Sequence, residues 1–269
     1  MTKQLFAELS ELEQVEAIAL GGSRSGSNYD KNSDYDVYVY CTSMISEDVR
    51  VNILKNYCST MEIGNSYWEY EDNCTLNNGI DIDILYRNLD DFSNGVSEVV
   101  ENFKAHNGYT TCMWHNLMNC KIIYDKNGRL SKAKKRFSVE YPDALRENII
   151  VRNMNLLCNS MPAYLYQIKK AILRNDKVSI LHRTTAFLES YFDIIFALNK
   201  STHPGEKRLI KLCKQNCTIL PDNFESNLNQ LFDDLSISTD KIIDDLNIIV
   251  IELKKVLAAE KFTFSMWKV

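Results

Sequence analysis

Long apolar runs are missing from this chain. The longest, such as Ile248-Ile249-Val250-Ile251, fall far short of the roughly 18 consecutive apolar residues of a membrane span, so no spanning helix is expected. The start, Met1-Thr2-Lys3-Gln4-Leu5-Phe6-Ala7-Glu8, lacks the basic end and apolar core of a secretion signal, so the expected location is cytoplasmic. No Cys-x-x-Cys pair occurs among the 8 cysteines. Cys213 and Cys217 have no nearby His or Cys pair to complete a zinc site, so free, buried thiols are expected. There is no basic excess either: 31 Lys and Arg stand against 36 Asp and Glu, a net charge of −5, which argues against a general nucleic-acid binder. With 9 Gly and 4 Pro in 269 residues, 45% hydrophobic and 25% charged, the chain is not collagen-like, disordered or a disulfide mini-protein.

What is present divides in two. Up to about residue 140, short β-rich runs alternate with helical segments; beyond it the helical period dominates. The spacing predicts a helix over 2–14 and a buried strand at Val15–Leu20 that stops at Gly21-Gly22. Further strands are predicted at 35–40, 67–70, 80–86 and 121–124, with helices over 46–58 and 89–104. Asn77-Asn78-Gly79 signals a turn. From Pro142 onward, helices are predicted over 144–159, 162–174, 178–198, 205–215, 222–235 and 239–260, a bundle punctuated by Pro162, Pro204-Gly205 and Pro221. The expected fold class is α+β: a mixed sheet flanked by helices in residues 1–140, then an all-α bundle in residues 141–269.

The stretch that carries chemistry is Gly21-Gly22-Ser23-Arg24, followed by Asp34-Tyr35-Asp36. Glycines directly after a strand allow a tight turn and close backbone approach by a ligand. Backbone N–H groups at such a turn form an anion site, Ser23 adds a hydroxyl and Arg24 a cation. Asp34 and Asp36, two apart on a strand, share a face. Two carboxylates on one face repel unless a cation sits between them, and magnesium suits oxygen ligands and phosphate. In Ile80-Asp81-Ile82-Asp83-Ile84 the isoleucines face a core, leaving Asp81 and Asp83 on the other side. A neighbouring strand acid would complete a three-carboxylate, two-metal site.

Gly-Gly-Ser, then Asp-x-Asp, then a later strand Asp resembles the polymerase β-type nucleotidyltransferase superfamily. The likeness is greatest to small bacterial aminoglycoside- and lincosamide-type enzymes with a helical C-terminal domain. The resemblance implies a nucleotidyltransferase domain followed by a helical acceptor-binding domain. It implies that Gly22 and Ser23 hold the triphosphate of ATP or another nucleoside triphosphate, with Arg24 and Lys207 as phosphate contacts. It implies that Asp34, Asp36 and Asp83 bind two magnesium ions, Asp83 also helping to deprotonate the attacking hydroxyl. Asp81 competes with Asp83 for that role. The acceptor is expected to be a small hydroxylated molecule, with a small antibiotic among the candidates. A protein or tRNA acceptor, and a non-catalytic nucleotide-binding antitoxin or regulator, remain as rivals.

Elsewhere, Glu189 and Asp193 lie four apart on the 178–198 helix beside His182 and Thr185, a candidate acceptor-binding wall set against a plain solvated helix face. The basic run Arg129, Lys132, Lys134, Lys135 and Arg136 reads as a solvated helix face. Tyr67, Trp68 and Tyr70 read as packing residues, and His106, His115 and His203 as structural or surface residues.

Overall fold

In a computed structural model of the chain, residues 1–25, 33–238 and 241–262 are described. They form two compact units. Unit 1 comprises Met1–Glu98 and Met113–Val139; unit 2 comprises Val99–Cys112 and the chain from Glu140 onward.

Unit 1 is built on a six-stranded sheet: β1 (Val15–Leu20), β2 (Tyr35–Cys41), β3 (Cys58–Asn65), β4 (Glu71–Leu76), β5 (Asp81–Arg87) and β6 (Lys121–Asp125). The strand order is β3-β4-β5-β2-β1-β6. Every pairing is antiparallel except β2 with β5, which makes the sheet mixed, as expected. One face is apolar. Val37, Val39, Ile82 and Ile84 meet Leu5, Phe6 and Leu9 of α1 (Thr2–Ser10) and Leu54 of α2 (Glu47–Leu54) in a buried core. The strict Ile-x-Ile-x-Ile alternation therefore works as predicted: one edge of β5 is fixed to the core and its acids are turned away.

Around the hairpin the expectation fails. Residues 67–70 form no strand; they are the bend between β3 and β4, neither of which the sequence reading anticipated, and the helix predicted over 46–58 ends at Leu54. Tyr67 and Trp68 are 82% and 85% exposed, so they are not packing residues; Tyr70 alone turns toward the core. The reason is Asp72. On β4 it falls on the core face, where an acid breaks the apolar alternation that marks a strand. It is tolerated because Arg50 of α2, also fully buried, pairs with it. Tyr86 Oη donates to Asp72 at 2.9 Å, as does the Gly64 N–H, and Arg50 Nη2 donates to Tyr70 Oη at 2.6 Å. The predicted Asn77-Asn78-Gly79 turn joins β4 to β5, with Gly79 at φ +80°.

The remaining elements of unit 1 are α3 (Leu89–Val100, whose last two residues belong to unit 2), α4 (Cys112–Asn119) and α5 (Arg129–Arg136). The basic residues of α5 are largely engaged within unit 1: Arg129 with Glu16 and Asp90, and Lys134 with the Cys120 carbonyl.

Unit 2 is helical. Its elements are α6 (Asp143–Met154, continued by a π-helical turn over Asn155–Asn159), α7 (Tyr164–Leu173), α8 (Lys177–Leu198), α9 (Leu209–Asn216), α10 (Phe224–Ile237) and α11 (Ile242–Ala259). The predicted helices are all found, with shifted ends. At its centre lies α8, packed against α6, α7 and α9. Asp176 caps it by accepting from Ser179 N at 3.1 Å, and nearly every side chain from Ser190 to Leu198 is buried. No helix among the described residues is long and apolar enough to cross a membrane. None of the eight cysteines is in a disulfide.

Candidate active site

The sheet of unit 1 brings two of the predicted acids together. In the parallel β2–β5 ladder, Asp36 is the register partner of Asp83. Neighbouring strands lie about 4.8 Å apart, and register partners share a face, so the two carboxylates stand side by side on the face opposite the core. Asp34 precedes β2 by one residue, and its carbonyl accepts from Arg24 Nε at 3.1 Å. Among the described residues, no group of three or more His, Cys, Asp or Glu side chains is arranged to hold a metal ion. Asp36 and Asp83 are the predicted acids that the sheet register sets beside each other. Asp81 also lies on this face, one pleat along, where Thr75 Oγ1 donates to it at 2.9 Å.

The glycine turn runs against Asp36. Gly21 N–H donates to the Asp36 carbonyl at 2.8 Å, and residues Ser23–Ser25 form a single 3₁₀ turn. Gly22 has φ +53°, and a Cβ placed there would lie 1.8 Å from Asp36 Oδ2. Only a residue without Cβ lets the carboxylate approach this backbone. Ser23 contributes its backbone to the turn; its side chain lies outside the described residues. Arg24 is fixed by hydrogen bonds to the Ser33 and Asp34 carbonyls, and its guanidinium lies 3.9 Å over the Tyr35 ring.

The antiparallel β4–β5 register sets Asn73 opposite Asp83, and Asn73 Nδ2 donates to Asp83 Oδ1 at 2.7 Å. It also brings in an acid that sequence reasoning missed. Glu71 sits two residues before Asn73 on the same face. Burial raises its pKa, a hydrogen bond with Asn73 opposes the rise, and the charges of Asp83, Glu69 and Asp36 add to it. Only the Glu-x-Asn-x-Thr alternation of β4 could have revealed it, and Asp72 on the other face masked that pattern.

The remaining predicted residues belong to unit 2. Lys207 is exposed, in the turn before α9. Glu189 and Asp193 stand in different surroundings. Glu189 lines a pocket of about 900 Å³ with Tyr109, Leu188, Phe192, Glu206 and Phe232. Burial raises its pKa, and the His182 charge opposes the rise. Asp193 is 1% exposed and does not line that pocket. Its carboxylate accepts from Thr110 N–H at 3.1 Å, Thr110 Oγ1 at 2.7 Å and Asn153 Nδ2 at 3.1 Å. Burial pushes its pKa up to about 7 against those hydrogen bonds.

The glycine bend and the carboxylate held against it, paired across parallel strands, lie in a segment that matches a known family. Residues 2–106 match the family described as nucleotidyltransferase domain, and residues 110–209 match a domain of unknown function (DUF4037). Over residues 2–106 the chain thus carries a nucleotidyltransferase domain, an enzyme domain. No curated protein matches it. Among solved structures it is similar to a nucleotidyltransferase-like protein from Exiguobacterium sibiricum 255-15, at 11% identity and a TM-score of 0.44 over 96% of this chain and 74% of that one. It is similar to an aminoglycoside 6-adenyltransferase from Bacillus subtilis, at 10% identity and a TM-score of 0.32 over 98% and 92% of the two chains. It is also similar to a Thermotoga maritima CCA-adding enzyme complexed with tRNA, at 12% identity and a TM-score of 0.25 over 97% and 82%.

Proposed function

We propose that this chain transfers a nucleoside monophosphate, with ATP as the donor, to a hydroxyl of a small acceptor and releases pyrophosphate. The observation that carries the reading is Asp36, register partner of Asp83, lying against the Gly22 backbone. Magnesium is commonly held by one or two carboxylates together with substrate phosphates, and this donor set fits that habit. Asp36 and Asp83 would hold the ions, with Asp34 beside them. When bound, the ions supply neutralisation of the charge that develops on the triphosphate.

The chain's own residues do the rest. Backbone N–H groups of the Gly22–Ser23 turn hold the β- and γ-phosphates, and Arg24 contributes charge beside them. Asp83 takes the proton of the acceptor hydroxyl. The acceptor oxygen forms its bond to the α-phosphorus as the bond to the bridging oxygen breaks, and pyrophosphate leaves with that electron pair.

The acceptor is assigned to the helical unit. The Glu189 pocket, floored by Leu188, Phe192 and Phe232, suits a hydroxylated molecule carrying a cationic group that Glu189 and Glu206 can face. A small antibiotic is one acceptor of that description. Asp193, enclosed by its three hydrogen bonds, holds the fold of this unit and is left out of the acceptor wall.

The test is pyrophosphate release from ATP and magnesium across a panel of hydroxylated acceptors. Asp36→Asn and Asp83→Asn should each lower turnover by at least about 100-fold, given the several kcal/mol a metal contributes. Turnover unchanged in the double variant overturns the reading.

A further inference from the structure

A chain of side-chain amides ends on the Asp83 carboxylate. Tyr67 N–H donates to Asn65 Oδ1 at 3.0 Å, Asn65 Nδ2 donates to Asn73 Oδ1 at 2.9 Å, and Asn73 Nδ2 donates to Asp83 Oδ1 at 2.7 Å. The chain crosses three adjacent strands, from β3 through β4 to β5. Its direction is fixed at both ends. A backbone N–H can only donate, and an ionised carboxylate can only accept, so neither amide can flip without losing both of its bonds.

We infer that Asn73 is a positioning residue for Asp83, anchored in turn by Asn65, and that together they present Oδ2 of Asp83 to the reacting groups. The inference rests on the reading of Asp83 as a metal-holding acid. The physical argument is orientation. A carboxylate on an open sheet face rotates about χ2, and each rotation costs a metal site its pre-set geometry. One oxygen engaged by Asn73 stops that rotation and leaves the other for a single-oxygen contact. Partners of this kind, which hold a ligand without touching the metal, typically contribute about 10- to 100-fold in metal affinity. Asn73 also hydrogen-bonds Glu71, and it lies on the half-exposed face of β4, away from the core, so the sheet's packing does not demand it.

The experiment measures Mn²⁺ binding by the full chain in the presence of a non-hydrolysable ATP analogue, read from the free-ion resonance signal, with melting temperature as the fold control. Asn73→Leu keeps the volume and removes the donor. It should weaken Mn²⁺ binding by about 10- to 100-fold while the melting temperature and metal-free analogue binding stay near wild type. Asn65→Ala should weaken it in the same direction by less. If Asn73→Leu does not fold, Asn65→Ala decides by the same reading. Unchanged Mn²⁺ affinity in the folded variants, with Asp83→Asn abolishing binding, overturns the positioning role alone. A wild-type chain whose Mn²⁺ binding is indifferent to Asp36→Asn and Asp83→Asn overturns the metal-site reading and this inference with it.

Discussion

At Gly22 the backbone and the Asp36 carboxylate compete for one volume. A methyl group there would overlap Oδ2, and φ +53° would strain any other residue. Gly22→Ala must therefore push the carboxylate aside or open the turn. Left-handed backbone alone costs a residue with Cβ roughly 1–2 kcal/mol. We expect a drop of that order in stability and a loss of pyrophosphate release at least as large as that of Asp36→Asn. A variant melting within a degree of wild type with full turnover would contradict the contact. Both glycine and acid could be named from the sequence, because a glycine pair after a buried strand and an Asp-x-Asp on the next are local patterns. That the two would touch could not, since it depends on how β1 and β2 pair.

Among the elements, the hairpin β3–β4 is where tertiary contacts overrule local pattern. Asp72 sits in the core face because Arg50, from a different element, neutralises it, and Tyr86 and Gly64 satisfy its remaining valences. Breaking such a pair from one side leaves a buried charge, which typically costs about 3–5 kcal/mol. Arg50→Ala should fall in that range by chemical denaturation, well beyond a surface Arg. Asp72→Asn, which can still accept from Tyr86 Oη or Gly64 N–H, should cost less. Equal, small effects would mean that the cluster is solvated. By contrast, β1, β2 and β5 were legible, with end residues matching to within one or two, because β1 and β2 are runs of apolar and aromatic residues and β5 an apolar alternation, patterns that need no distant partner. Of the site, Asp83 was legible for that reason, whereas Glu71, Asn73 and Asn65 were not, since their strands are recognisable only once paired.

For the molecule, the path of the chain matters more than a single boundary. It enters unit 2 at Val99, returns to unit 1 at Met113 and leaves again after Val139. The early segment is tied into unit 2 by polar contacts: Asn148 to the Phe103 carbonyl, Arg152 to Asn107 and Thr110 to Asp193. Asp193 makes that tie sensitive to pH. Its pKa in the fold, about 7, stands above the roughly 3.9 of a free aspartate. The stability it contributes is therefore full below about pH 4 and lost as pH rises through about 7. The melting temperature of the wild type should fall relative to Asp193→Asn between pH 5 and pH 8; parallel curves for the two proteins would refute the shift. Thr110→Val removes the Thr110 Oγ1 hydrogen bond from a buried acid and should cost about 1–3 kcal/mol near neutral pH.

The sequence by itself determined the α-rich second half and the three central strands, and it named the candidate acids, because periodicity and short motifs are properties of neighbouring residues. It also determined that no described helix would be apolar enough for a membrane. Only the tertiary structure decided which acids meet, that Asp72 could be buried, that Asp193 is consumed by hydrogen bonds while Glu189 faces a pocket, and that residues 99–112 join the helical unit. Each of these depends on a partner dozens of residues away, and a side chain's charge, exposure and reach are fixed only when that partner is brought beside it.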